Sequence, residues 1–276
     1  MRRVLLLGTV ILLASVTCCR AGTPEITISS TPALPMENLV QNGGFEDDLK
    51  GWAVANVDKA QEEGWKVEAS AEAGIGTRAI HIAVEPKARN KSRNAYQSLG
   101  SLFPAHKLLP GQSYLVSCRM KASGVNTQGG EYCGAGASLS IWSAGYKDTS
   151  SVWAFSGDTA GKWIKVISKP LLCPEGGAGA QVVAAISYTA GEAWIDDIVV
   201  SEAYADMSVS VHGSGILQVL VADENGRIID DSGRLSTGAK DYSKSLKVIS
   251  AYRYTVKVVD KDGNIYQKDY PLPVEK

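Results

Sequence analysis

Period-two alternation recurs along most of the chain, broken by Gly, Pro and Asn, and it narrows the possible folds more than any other feature. Ile80, Ile82 and Val84 alternate with Ala79, His81 and Ala83. Tyr114, Val116, Cys118 and Met120 alternate with Leu115, Ser117, Arg119 and Lys121, and Leu139 and Ile141 with Ser138, Ser140 and Trp142. Each run reads as a half-buried strand. Outside the N-terminal leader no stretch keeps a 3.6-residue period beyond a turn or two at Asp58 to Glu63. Many short strands with turn signals between them predict an all-β sandwich or barrel. With 45% hydrophobic and 21% charged residues, the 276-residue chain can bury a core, which excludes disorder as its overall character.

The chain divides into four parts. Residues 1–21 have a short positive start (Arg2, Arg3), an apolar run from Val4 to Val16 and small residues ending in Ala21, the pattern of a secretory signal peptide. The apolar run is too short to span a bilayer comfortably, and Thr17 fits poorly in a lipoprotein box that would lipidate Cys18 or Cys19. The mature protein is expected to be secreted, extracellular or periplasmic, with no membrane span after cleavage. Residues 22–36, rich in Thr, Ser and Pro, read as an exposed linker. Residues 37–203 hold all six Trp, and residues 205–276 hold none. In this last part the runs Gly215–Asp223 and Arg227–Asp230 flank Glu224-Asn225-Gly226, and Tyr252–Asp260 and Asn264–Tyr270 flank Lys261-Asp262-Gly263. Both read as hairpins with primed turns, and the whole as a small immunoglobulin-like β domain. Asp260-Lys261-Asp262-Gly263-Asn264 lacks the order and closing Glu of a calcium loop, so turn chemistry accounts for it better.

Charge and motifs exclude several functions. The 28 Lys and Arg against 29 Asp and Glu give a net charge of −1. Without Arg2, Arg3 and Arg20 of the leader the balance is 25 to 29, or −4, with no basic block, so nucleic acid is not an expected partner. No nucleophile elbow, phosphate loop or zinc-binding His-Glu motif occurs. Glycosidic hydrolysis needs two carboxylates across a cleft. The acid clusters Glu46-Asp47-Asp48, Asp196-Asp197 and Asp230-Asp231 do not announce such a pair. Cleavage of the leader leaves Cys118, Cys133 and Cys173, enough for one disulfide and one leftover thiol. A bridge across the Cys118–Cys133 hairpin and pairings with Cys173 both remain open.

Residues 37–203 carry an ordered set of short motifs. Asn38-Leu39-Val40-Gln41-Asn42-Gly43-Gly44-Phe45-Glu46 precedes Gly51-Trp52. Leu109-Pro110-Gly111-Gln112-Ser113-Tyr114 leads into a strand ending Met120-Lys121-Ala122, and Gly161-Lys162-Trp163 precedes Ala193-Trp194-Ile195-Asp196-Asp197-Ile198-Val199-Val200. This set resembles the jelly-roll carbohydrate-binding modules of families four, nine, sixteen and twenty-two. The resemblance implies an N-terminal strand lying near the closing Asp-Asp strand and a polysaccharide or oligosaccharide ligand. It also implies a structural Ca²⁺ held by Glu46 and Asp196, with Asp197 as the alternate ligand.

The strand phases name candidate contacts. Aromatic faces accept the C–H side of a sugar ring, and planar polar groups fork onto its hydroxyls. Trp142, Arg119 and His81 take the outward phase of their strands, with Trp142 and Arg119 expected to line one groove. Tyr96 and Gln97, after the basic loop Lys87 to Arg93, are the next candidates. Trp52 and Trp163 match structural positions of the family, whereas Trp65, Tyr146 and Trp153 lie in or beside loops. The expected function is an exported, non-catalytic protein that binds polysaccharide chains on an aromatic-lined sandwich face. A surface adhesion or spacer protein without a sugar ligand, and an accessory part of a glycoside hydrolase system, are the alternatives.

Overall fold

The computed structural model describes residues 23–31, 34, 37–55, 58, 60–98, 108–143, 149–236 and 239–271. The leader, Cys18, Cys19 and Tyr146 lie outside them. The elements in chain order are β1 (Glu25–Thr31), β2 (Ala53–Val54), α1 (Ala60–Glu63), β3 (Trp65–Ser70), β4 (Ala79–Val84), β5 (Arg93–Ser98), β6 (Ser113–Ser123), β7 (Gly134–Ser143), β8 (Thr149–Ser156) and β9 (Ile164–Ile167). They continue with β10 (Leu171–Leu172), β11 (Gly177–Ser187), β12 (Gly191–Glu202), β13 (Tyr204–His212), β14 (Ile216–Asp223), β15 (Ile228–Asp231), β16 (Asp241–Ile249), β17 (Tyr254–Asp260) and β18 (Ile265–Tyr270).

Two sheets form a jelly-roll sandwich. The first has the order β10-β6-β12-β4-β3, with β9 also beside β6; the second has the order β2-β5-β11-β7-β8. The alternation decides what lies between them. Ile80, Ile82 and Val84 of β4, Val116, Cys118 and Met120 of β6, Leu139 and Ile141 of β7, and Val182, Ala184 and Ile186 of β11 share one buried cluster. A fully buried Ile or Leu of this kind contributes about 1.5–3 kcal/mol through removal from water.

Residues 37–52 run beside β12 as a strap of turns rather than as a strand, which corrects the expected N-terminal strand. Asn38 replaces ladder bonds there: its Nδ2 donates to the Ile198 carbonyl at 2.8 Å and its Oδ1 accepts from the Val200 amide at 3.1 Å. Phe45 and Trp52 pack at 5.1 Å inside the core.

A second buried cluster gathers residues of β1, β13, β14 and β17, including Ile26, Val209, Val219 and Val256, together with Leu34 just after β1. Its sheets have the orders β1-β13-β16 and β15-β14-β17-β18. Lettered in chain order, these are A-B-E and C′-C-F-G, the immunoglobulin-type pairing. The expected linker at 22–36 is therefore overturned in part. Glu25 to Thr31 pair antiparallel with His212 to Asp206, and Thr27 and Ser29, alternating with Ile26 and Ile28, occupy the exposed phase of a strand. The jelly roll is inserted between the first and second strands of this smaller sandwich.

The two glycine hairpins also differ from expectation. Gly226 and Gly263 have positive φ (77° and 83°), while Asn225 and Asp262 do not, so neither turn is of the primed type. Asp223 and Asp260 act as caps: Oδ1 of Asp223 accepts from the amides of Asn225 and Arg227, and Oδ1 of Asp260 from those of Asp262 and Asn264. These side-chain bonds favour an ordinary turn closed by a left-handed glycine over a primed one.

Candidate functional site

The outer face of the second sheet carries the feature best suited to a ligand. Register aligns Tyr96 of β5, Val183 of β11, Ser138 of β7 and Trp153 of β8 in one row across four strands. The adjacent row is Asn94, Ala185, Gly136 and Phe155, and on the other side Gln181, Ser140 and Ser151 continue the small polar floor. Ser140 and Ser151 hydroxyls lie 2.8 Å apart. With strands spaced about 4.8 Å, the Tyr96 and Trp153 positions stand about 14 Å apart. Small residues in the middle and half-buried rings at both sides make a shallow groove. Trp142 extends the same face at one end, its ring lying where a Cβ on Gly179 would come within 2.7 Å.

The charge of this face is as informative as its shape. The strands β2, β5, β7, β8 and β11 contain no Asp, Glu or Lys, and Arg93 is their one charged residue. Arg93 is buried, pairs with Glu63 at 2.6 Å and lies over the Trp65 ring, away from the groove. The strands offer rings, hydroxyls and amides, with the exposed Glu131–Lys169 pair standing beside Trp153 and Phe155 at the edge, and such an uncharged middle suits a neutral ligand rich in hydroxyls.

The predicted contacts do not converge. Tyr96 and Trp142 share the groove face. Arg119 belongs to β6 in the opposite sheet, so the expected common groove of Trp142 and Arg119 does not exist. β6 and β7 are not a hairpin; the chain between them crosses from one sheet to the other. His81 takes the outer phase of β4, as expected, but is buried rather than exposed. It stacks on Trp194 at 4.5 Å, and Glu68 lies 3.2 Å from its Nδ1. Of Gln97 only the backbone pairing with Val182 is described. Trp153, expected beside a loop, is central to β8, and Trp65 is core. Trp163, expected in the core, is half-buried and covers Gly74.

The acids expected to hold calcium are engaged elsewhere. Asp197 has φ 49° within the bulge of β12, and Asp196, paired with Arg119 just before the bulge, is fully buried on the outer side of the sheet beneath the loop at Gly74 and Ile75. Asp196 Oδ2 accepts from the amides of Gly74 (2.9 Å) and Ile75 (2.8 Å), and Oδ1 from that of Asp197 (2.6 Å). Burial holds this carboxyl above the usual carboxylate range, against the pull of those amides. Both oxygens of Glu46 are bonded by Thr77, whose hydroxyl and amide lower its pKa. Calcium takes six to eight oxygens, and among the described residues no three His, Cys, Asp or Glu side chains form a metal-holding group. The carboxylates here fit a loop clamp better than an ion shell. The three cysteines are buried and free, so the expected disulfide is absent.

No family model matches the chain, and no curated protein matches it. The solved structures similar to it include carbohydrate-binding modules. The CBM22-1 xylan-binding domain of Paenibacillus barcinonensis Xyn10C is 17% identical, covering 60% of this chain and 94% of that one, with a TM-score of 0.41. A family 16 carbohydrate-binding module is 18% identical, covering 60% and 100%, with a TM-score of 0.40. TmCBM61, solved with β-1,4-galactotriose, is 16% identical, covering 60% and 99%, with a TM-score of 0.36.

Proposed function

We propose that this chain is an exported, non-catalytic protein that binds a neutral polysaccharide along the outer face of the second sheet. The observation that carries the reading is the cross-strand row Tyr96–Val183–Ser138–Trp153, with rings at both sides of a small, uncharged floor. The rings take the apolar faces of successive sugars, and Ser140, Ser151, Asn94 and Gln181 offer donors and acceptors to their hydroxyls. The same five strands contain no carboxylate, so they supply neither the acid nor the nucleophile of a glycosidase. Among the described residues no helix is long and apolar enough to cross a membrane.

Affinity electrophoresis against a panel of soluble neutral polysaccharides, with Trp153→Ala and Tyr96→Ala beside the parent protein, tests the reading. Loss of one ring contact should weaken binding by about 1–3 kcal/mol, or roughly 5- to 150-fold, with unchanged folding. Reducing ends should not accumulate. Binding that is indifferent to both substitutions, or absent across the panel, overturns the proposal.

A further inference from the structure

A second recess lies where the two sandwiches meet, on the side of the jelly roll away from the groove. Its volume is about 460 Å³, and Arg119, Lys165, Glu224, Asn225 and Tyr252 contribute to its lining. Arg119 comes from β6 and Lys165 from β9, while Glu224 and Asn225 form the tip of the β14–β15 turn. Lys165 ties the walls together, pairing with Glu224 at 3.2 Å and donating to the Ala251 carbonyl. Arg119 is different. Its Nε is buried with no hydrogen-bond partner, and its contact with Asp197 is loose, at 3.9 Å. A buried donor left unpaired is costly, and native structures seldom keep one without a reason.

We infer that this recess is a binding site for a carboxylate-bearing sugar, such as a uronate unit of a polysaccharide. The ligand carboxylate would meet the Arg119 guanidinium on its part-exposed side, the Nε itself being buried and only loosely held by Asp197, in the paired geometry that arginine offers planar anions. The Tyr252 ring and the Asn225 amide would meet the sugar body. Unlike the neutral groove, this site reads charge, and it needs both sandwiches. The inference does not depend on the groove: it can fail while the groove binds neutral chains, and the reverse also holds.

The test is titration of the full protein with glucuronate and galacturonate, against glucose, galactose and acetate, followed by NMR or calorimetry. The uronates should bind, with affinity falling as salt rises, and neutral sugars should not compete at this site. Arg119→Ala should weaken uronate binding at least tenfold, and Asn225→Ala, on an exposed turn, should weaken it less. Neither should alter binding of neutral polysaccharide, which Trp153→Ala weakens. Uronate binding unchanged in Arg119→Ala, absent in the parent protein, or matched by acetate alone overturns the inference.

Discussion

Replacing Asp196 by Ala probes what the loop-covered acid of β12 does. The side chain is fully buried and accepts from three backbone amides, those of Gly74, Ile75 and Asp197. Each amide left without a partner costs about 1–3 kcal/mol, so the loss should be about 3 kcal/mol if the half-exposed loop lets water relieve the worst of it. That is a large share of a typical folding stability of about 5–15 kcal/mol. Denaturant unfolding followed by tryptophan emission is the natural assay, because all six Trp lie between residues 52 and 194 and report on the jelly roll alone. Burial raises the Asp196 pKa in the folded state. Its contribution is therefore fullest below the unfolded value of about 3.9 and declines as pH rises through the folded one. The gap between parent and variant should widen from about pH 7 toward pH 4. Excess chelator should leave the parent midpoint in place. A variant loss below about 1 kcal/mol, or a parent midpoint that moves with calcium, would refute the account of a clamp satisfied by amides alone.

Two further outcomes are expected. With the leader removed, a thiol reagent should label no cysteine in the native protein and all three after unfolding, because Cys118, Cys133 and Cys173 are buried and burial pushes the Cys118 and Cys173 thiols up. Fewer than three labelled under non-reducing denaturation would reveal a disulfide. Ile26→Ala should destabilise the smaller sandwich by about 2 kcal/mol, seen by limited proteolysis of residues 205–271, with the tryptophan midpoint unmoved. A shifted tryptophan midpoint would show that β1 supports the jelly roll instead.

Strand phase was legible wherever β-branched or aliphatic residues held alternate positions, as in β4, β6 and β7. Phase states which side of its own sheet a residue takes, and it is silent on which sheet. That is why Arg119 and Trp142, both outward, face opposite directions. β8 has no such mark, and Trp153 reads as lying in or beside a loop. Val152 and Ala154 are the small inward residues there, while the larger Trp153 and Phe155 take the outer face. The stacking of His81 on Trp194 depends on register between β4 and β12, which no local pattern encodes. For β1 the signal was present: Ile26 and Ile28 alternate with Thr and Ser, but the surrounding Pro and Ser masked it.

The insertion of one sandwich within another sets an order of events during synthesis. β1 emerges early, yet its partner β13 follows about 180 residues later, and Ser30 waits for Tyr270, 240 positions away. At about 5–20 residues per second, β1 spends on the order of ten seconds or more with its backbone unpaired. The jelly roll has no such delay, since its two ends meet where the Leu39 amide donates to Val200, and it can close before the rest of the chain exists. An unpaired strand is an invitation to wrong partners. β1 presents two isoleucines among Thr, Ser and Glu, enough to join β13 once it arrives and too few to attract much else. The polar composition that disguises it as a linker is what allows it to wait in water.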